Sequence, residues 1–190
     1  IGRKLALGFG AVTVIAFLLG AAGLAGINSL LTDFSYVGQT RIPDMLAFSR
    51  LNYLEMLIRA ESLEGLRSEG RFYEGVNVGY ILDRRVRARE EMDAAWETVS
   101  ASSRHSQRGQ QLLDILMGQF EVWTRYQGRL DGILKNLNEA SSEERRGELF
   151  KEYSELMAVI LPVSDVMGAT LEDLLKNIQS ETEVIVEDNM

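Results

Sequence analysis

The chain has 190 residues, 28 acidic against 20 basic side chains, a formal net charge of −8 and no cysteine. The acidic balance argues against nucleic acid or an anionic lipid surface as the partner of the body of the protein. Without a thiol, neither a disulfide framework nor a thiolate metal centre is possible.

The chain opens "IGRKLALGFGAVTVIAFLLGAAGLAGINSLLTDF", with no charged residue between Lys4 and Asp33. At about 1.5 Å of rise per residue, a hydrocarbon core of ~30 Å needs roughly 20 apolar residues. Leu5 to Ile27 meets that length. Arg3 and Lys4 then stay on the cytoplasmic side and Asp33 emerges outside. Residues 1–32 are therefore expected to be a transmembrane signal-anchor helix. A signal peptide cleaved near Ala22 and a buried core helix are the alternatives. The apolar character continues through Leu30 and Leu31 into a helical repeat, which favours the anchor. The start at Ile1 rather than Met implies residues upstream.

Residues 33–190 suffice for one domain of ordinary size and read as four helices. The first is expected over about Asp33 to Arg67 and the second over about Phe72 to Ser100. The third spans about Gln107 to Asn138, and the fourth runs from about Ser142 to the end. Gly70 in "RSEGRF", the serines of "SASSRHSQRG", and Ser141 or Ser142 ahead of acidic residues supply the breaks. In the third helix Leu116, Phe120, Trp123, Gln127, Leu130, Leu134 and Leu137 alternate in steps of four and three. Tyr153, Leu156, Ile160, Val163, Met167, Leu171, Leu174 and Ile178 repeat the pattern in the fourth. Such spacing is the seam of helices crossing at about 20°. The second helix is weaker: Leu82, Val86, Met92, Trp96 and Val99 fit, but Arg89 interrupts.

Short connections make successive helices antiparallel. The expected fold is all-α: an N-terminal transmembrane helix followed by an antiparallel, up-down-up-down four-helix bundle. Pro162 lies inside the fourth helix, where it removes a backbone donor and should bend the helix or break it. No second apolar run precedes Met190, so the sequence is expected to be part of a longer protein.

Three stretches carry a family resemblance: "RKLALGFGAVTVIAFLLGAAGLAGINSL", "RIPDMLAFSRLNYLEMLIRAESLE" and the proline-containing "VILPVSDVMGATLEDLLKNIQSETE". With the helical pattern between them, the chain resembles the N-terminal sensory part of bacterial methyl-accepting chemotaxis proteins, with their four-helix-bundle ligand-binding domain. Similar bundles stand on sensor histidine kinases and diguanylate cyclases. The resemblance implies a homodimer, a periplasmic ligand site, a second membrane helix, and cytoplasmic signalling partners reached through a further C-terminal part. It places the protein in the bacterial inner membrane with the sensor domain periplasmic or extracellular.

The first helix offers two lines. Ala47, Leu51, Leu54 and Ile58 share one direction and are expected to face the core. Arg41, Met45, Phe48, Asn52, Met56, Arg59, Leu63 and Leu66 form a second line, for which a partner subunit is the economical cover. In the related aspartate-type receptors, first-helix arginines of both subunits clamp a ligand carboxylate, helped by the fourth helix. Guanidinium suits that task because its planar donors match a carboxylate. Arg59, Arg67, Tyr153 and Ser154 are therefore expected to border a site for a small anionic ligand, an organic or amino acid. The receptors' arginine triplet is incomplete here, and Glu61 and Glu64 lie close, so amino-acid specificity does not carry over. The bland alternative pairs Arg59 with Glu55 or Glu61 on a solvated face.

Arg85 and Arg89, four apart in "LDRRVRARE", could hold an anion together or lie on a solvated face with Glu90 and Glu91 as partners. His105 is expected to be solvent-exposed. No catalytic residue, metal ligand or cofactor is expected: the Glu-x-x-His pairs of di-iron bundles and the Cys-x-x-Cys-His of haem attachment are missing. A membrane-tethered structural bundle that only dimerises is the rival to a sensor.

Overall fold

The computed structural model describes residues 13–28, 31, 37–67, 77–101 and 106–187. Among them are five helices and no strand, so the fold is all-α. Helix α1 is Thr13–Asn28. A short π-helical segment, Val37–Arg41, leads into α2, Ile42–Arg67. Then follow α3, Val78–Ala101, α4, Gln107–Glu139, and α5, Glu143–Glu187. The chain divides into two compact units: Ile1–Pro43 with Thr182–Met190, and Asp44–Glu181.

Helix ends follow local chemistry. Asn77 stands at the start of the described part of α3, its Oδ1 accepting the Tyr80 N–H at 3.2 Å. Ser106 caps α4 by accepting the Gly109 N–H at 2.9 Å. Ser142 caps α5, its Oγ accepting the Arg145 N–H at 3.3 Å. Each cap satisfies a donor that the first helical turn leaves open. Helix α5 runs unbroken through Pro162, which excludes the reading that it stops there. Gly70, Phe72 and His105 lie outside the described residues.

In the second unit, α2 to α5 build two apolar clusters. One gathers Phe48 to Ile58, Ala88 to Val99, Leu113 to Trp123 and Met167 to Ile178, with Trp96 stacked on Phe120 at 4.1 Å between ring centroids. The other gathers Val78, Ile81, Leu130 to Leu137 and Leu149 to Ile160. The predicted core lines of α4 and α5 are buried throughout, except that Val163 is only half-buried.

Two predicted lines need correction. In α2 the expected core residues Leu51, Leu54 and Ile58 are buried, but the buried face also holds Asp44, Phe48, Glu55, Glu61, Ser62 and Gly65. Phe48, expected to face a partner, is fully buried, and Ala47 is only half-buried. In α3 the line is Val78, Ile81, Arg85, Ala88, Met92 and Val99; Val86 is exposed. Both lines carry polar side chains at core positions, which a search for apolar spacing passes over.

One helix among the described residues is long and apolar enough to cross a membrane by length and composition: α5, over Glu143–Glu183. The described part of α1 is apolar but shorter than a full span. Its Val14, Ile15, Phe17, Leu18, Leu19 and Leu24 are all more than half exposed, which does not fit the alternative of a buried core helix.

Candidate functional site

Two sets of buried polar side chains interrupt the apolar core. Arg85 centres the first, on the core line of α3 and wholly withdrawn from solvent. Its Nε donates to Asp131 Oδ1 at 2.8 Å, and one terminal nitrogen donates to Gln127 Oε1 at 2.8 Å. The other terminal nitrogen donates to the Ile58 carbonyl at 3.3 Å and to the Ser62 hydroxyl. Arg89, one turn on, donates to the second carboxylate oxygen of Asp131 at 2.7 Å. Arg85 and Arg89 therefore do hold an anion together, and that anion is the protein's own Asp131. An unpaired guanidinium removed from water would cost several kcal/mol; here charge pairing and oriented acceptors offset the loss of hydration.

Tyr153 adds α5 to this set. It is fully buried, and its phenol donates to the Ser62 carbonyl at 2.8 Å. Gly65 lies against the ring, where a Cβ would come within 2.7 Å of the phenol oxygen. The layer thus ties together α2 (Ile58, Ser62), α3 (Arg85, Arg89), α4 (Gln127, Asp131) and α5 (Tyr153). At its edge Arg84 pairs with the nearly buried Glu61 at 2.6 Å.

The second set is sparser. Glu55, on the core line of α2, is 2% exposed. One of its oxygens, Oε1, is buried without a hydrogen-bond partner. Ser164 of α5, beside the carboxylate, accepts the Trp123 indole N–H at 2.9 Å. Arg59, one turn from Glu55, sends its guanidinium to Asp165 of α5 at 2.6 Å. Burial pushes the Glu55 carboxyl above its ordinary value, and the Asp165 charge adds to this. The Ser164 hydroxyl and the Arg59 charge oppose it without cancelling it.

The four predicted ligand residues are spread over these surroundings. Arg59 is partly exposed and pairs with Asp165, neither with Glu55 nor with Glu61. Arg67 is exposed, 3.9 Å from Glu64. Tyr153 faces inward, while Ser154 is exposed. Arg59 and Tyr153 share the α2–α5 pair, but their partners, Asp165 and Ser62, keep them apart: Asp165 lies about three turns along α5 from Tyr153. A groove of about 590 Å³ between α4 and α5, walled by Ile115, Val122, Pro162 and Val166, contains none of the four.

Arg85, Glu55 and Ser164 escaped the sequence reading as buried polar groups, as did the partly buried Asp131. Their phase was the available signal. Arg85 stands four residues from Ile81 and three from Ala88, while Glu55 stands four from Leu51 and three from Ile58. Among the described residues no cluster of acidic and histidine side chains could hold a metal ion. Comparison with protein-family models, with curated proteins and with solved structures finds no match.

Proposed function

We propose that the chain is the sensory portion of a bacterial transmembrane receptor, dimeric through α2 and anchored by its first 32 residues. In this reading α2 to α5 stand outside the cytoplasm as an antiparallel, up-down-up-down bundle. The pairings support that order: Arg50 with Glu91 and Glu61 with Arg84 run oppositely along α2 and α3. Trp96 with Phe120 and Arg85 with Asp131 do so along α3 and α4. The outward apolar residues of α1 support an anchor, since lipid is the medium that would cover them.

The observation that carries the reading is a second seam on α2. Leu46, Ser49, Tyr53, Met56 and Ala60 alternate in steps of three and four, and all five are exposed. A helix with a complete core line on one side and a heptad-spaced apolar line on the other is built to pack twice. The second neighbour is another copy of α2. Arg59 and Arg67 flank that seam, so an anionic ligand bound there would be shared between subunits. Such a ligand would compete with Asp165 for Arg59 and loosen α5 from α2, giving a displacement that α5 could carry onward. Tyr153, buried against the Ser62 carbonyl, stands outside this seam, and the exposed Ser154 lies on α5 beside it.

The reading is tested by sedimentation of the chain in detergent and by calorimetric titration with organic and amino acids. Replacing Leu46 and Met56 together by Glu is expected to yield monomers. Arg59→Ala is expected to abolish heat of binding. A dimer that survives the double replacement, with binding indifferent to Arg59→Ala, would refute it. The rival, a structural bundle without a ligand, is favoured by the fact that Arg59 already has a partner; it predicts dimers and no binding heat from any acid.

A further inference from the structure

We infer that Glu55 is a proton-uptake site, and that acidification switches the Glu55–Arg59–Asp165 triad between two charge arrangements. The inference goes beyond the receptor reading and stands on the triad alone.

Two carboxylates compete here for one guanidinium. Arg59 is one turn from Glu55 on α2, yet its NH1 sits 2.6 Å from Asp165 on α5. With both carboxylates ionised the triad carries one uncompensated negative charge, and that charge falls on the more deeply buried member. Asp165 is largely exposed, whereas Glu55 is 2% exposed with one oxygen that meets no donor. A buried carboxylate oxygen without a donor is a costly arrangement when charged and a tolerable one when the carboxyl is neutral. A proton taken up there from water cancels the excess charge and leaves Arg59–Asp165 as a matched pair. No other co-reactant is needed.

The surroundings are consistent with one dominant titration. The charges that bear on Glu55 are Arg59 on its own helix and Asp165 on α5, with the Ser164 hydroxyl beside them. Helix α4 contributes Trp123, whose indole bonds Ser164. The charged groups that α3 brings to α2, about a turn to either side of Glu55, are already committed. Arg85 is held by Asp131, Gln127 and the α2 backbone, and Glu91 pairs with Arg50.

The linkage has a definite sign. A carboxyl whose folded-state pKa lies above its unfolded value is better tolerated in the fold when protonated. The stability it contributes is fully present below the unfolded pKa and is lost as pH rises through the folded one. Acidification from neutral pH into the carboxylate range should therefore stabilise the fold, until protonation of the other paired carboxylates reverses the trend.

The test uses the whole chain in detergent, with thermal unfolding from about pH 8 to about pH 5 and carboxyl-carbon NMR of Glu55. Wild type is expected to melt higher as pH falls through this window. Glu55→Gln, which mimics the neutral form, is expected to melt higher than wild type at about pH 8 and to flatten the slope. The Glu55 midpoint should lie above the ordinary carboxylate range, move down in Asp165→Asn and move up in Arg59→Gln. Those opposite shifts are a readout that a merely structural glutamate would not give. An ordinary Glu55 midpoint, or a Glu55→Gln profile that parallels wild type, would overturn the inference. Absence of ligand binding or of dimers would bear on the receptor reading and leave this one intact.

Discussion

Arg85 and Glu55 are both ionisable side chains placed on the core line of a helix, and the same helical unit treats them in opposite ways. The arginine is met on every side: a carboxylate, an amide oxygen, a hydroxyl and a backbone carbonyl receive its protons. The glutamate has one oxygen without a hydrogen-bond partner, and the nearby guanidinium of Arg59 is paired with another acid, Asp165. A fully satisfied buried charge specifies how helices align, because any slip leaves several groups unpaired at once. A half-satisfied one can adjust by changing its protonation state, a freedom that an arginine lacks. Burial of a charge thus has two outcomes here, a fixed pin in one layer and a responsive group in the other.

The sharpest way to break this contrast is to remove the partner of the pinned charge. Asp131→Ala leaves Arg85 buried without its carboxylate and is expected to destabilise the fold by ~3–5 kcal/mol in denaturant unfolding. A loss below about 1 kcal/mol, the level of an ordinary exposed pair, would mean that the layer is not a pin. A smaller effect is expected where the layer meets α5. Gly65→Ala would drive a methyl group into the Tyr153 phenol, which cannot withdraw without giving up the Ser62 carbonyl. Overpacking of this kind costs about 1–3 kcal/mol. Combining Gly65→Ala with Tyr153→Phe should restore part of that loss, and the thermal midpoints of single and double variants would show it. At the bottom of the scale, Arg67→Ala should change stability by less than about 0.5 kcal/mol, since its contact with Glu64 is exposed and long.

The same contrast explains which parts of the fold could be read from sequence. Helices α4 and α5 were legible because Leu, Ile, Phe, Trp and Met occupy nearly every core position, so apolar spacing and burial coincide. Helix α2 was legible in part: Leu51, Leu54 and Ile58 are buried as their spacing implies, while Asp44, Glu55, Ser62 and Gly65 share that face with Phe48. Polar residues at core positions carry no apolar signal, so the line drawn from apolar residues alone takes in Ala47 and leaves out Phe48. Helix α3 is legible only in part for a related reason: Met92 and Val99 are buried as their spacing implies, but Arg85 holds a core position while Val86 beside it is exposed. The cap at Ser142, one of the two serines the sequence offered, was readable because capping depends on a few adjacent residues. The clamp on Asp131 needs residues more than forty positions apart, and nothing local announces it.

The bond between the Trp123 indole and Ser164 turns the Glu55 site into its own optical gauge. The chain has only two tryptophans, and the other, Trp96, lies against Phe120. With Trp96 replaced by Phe, fluorescence would come from a single ring, one hydroxyl away from the carboxyl. A charge appearing or vanishing at that distance should change the colour of the emitted light, so the protonation state could be followed in intact membranes without adding any label.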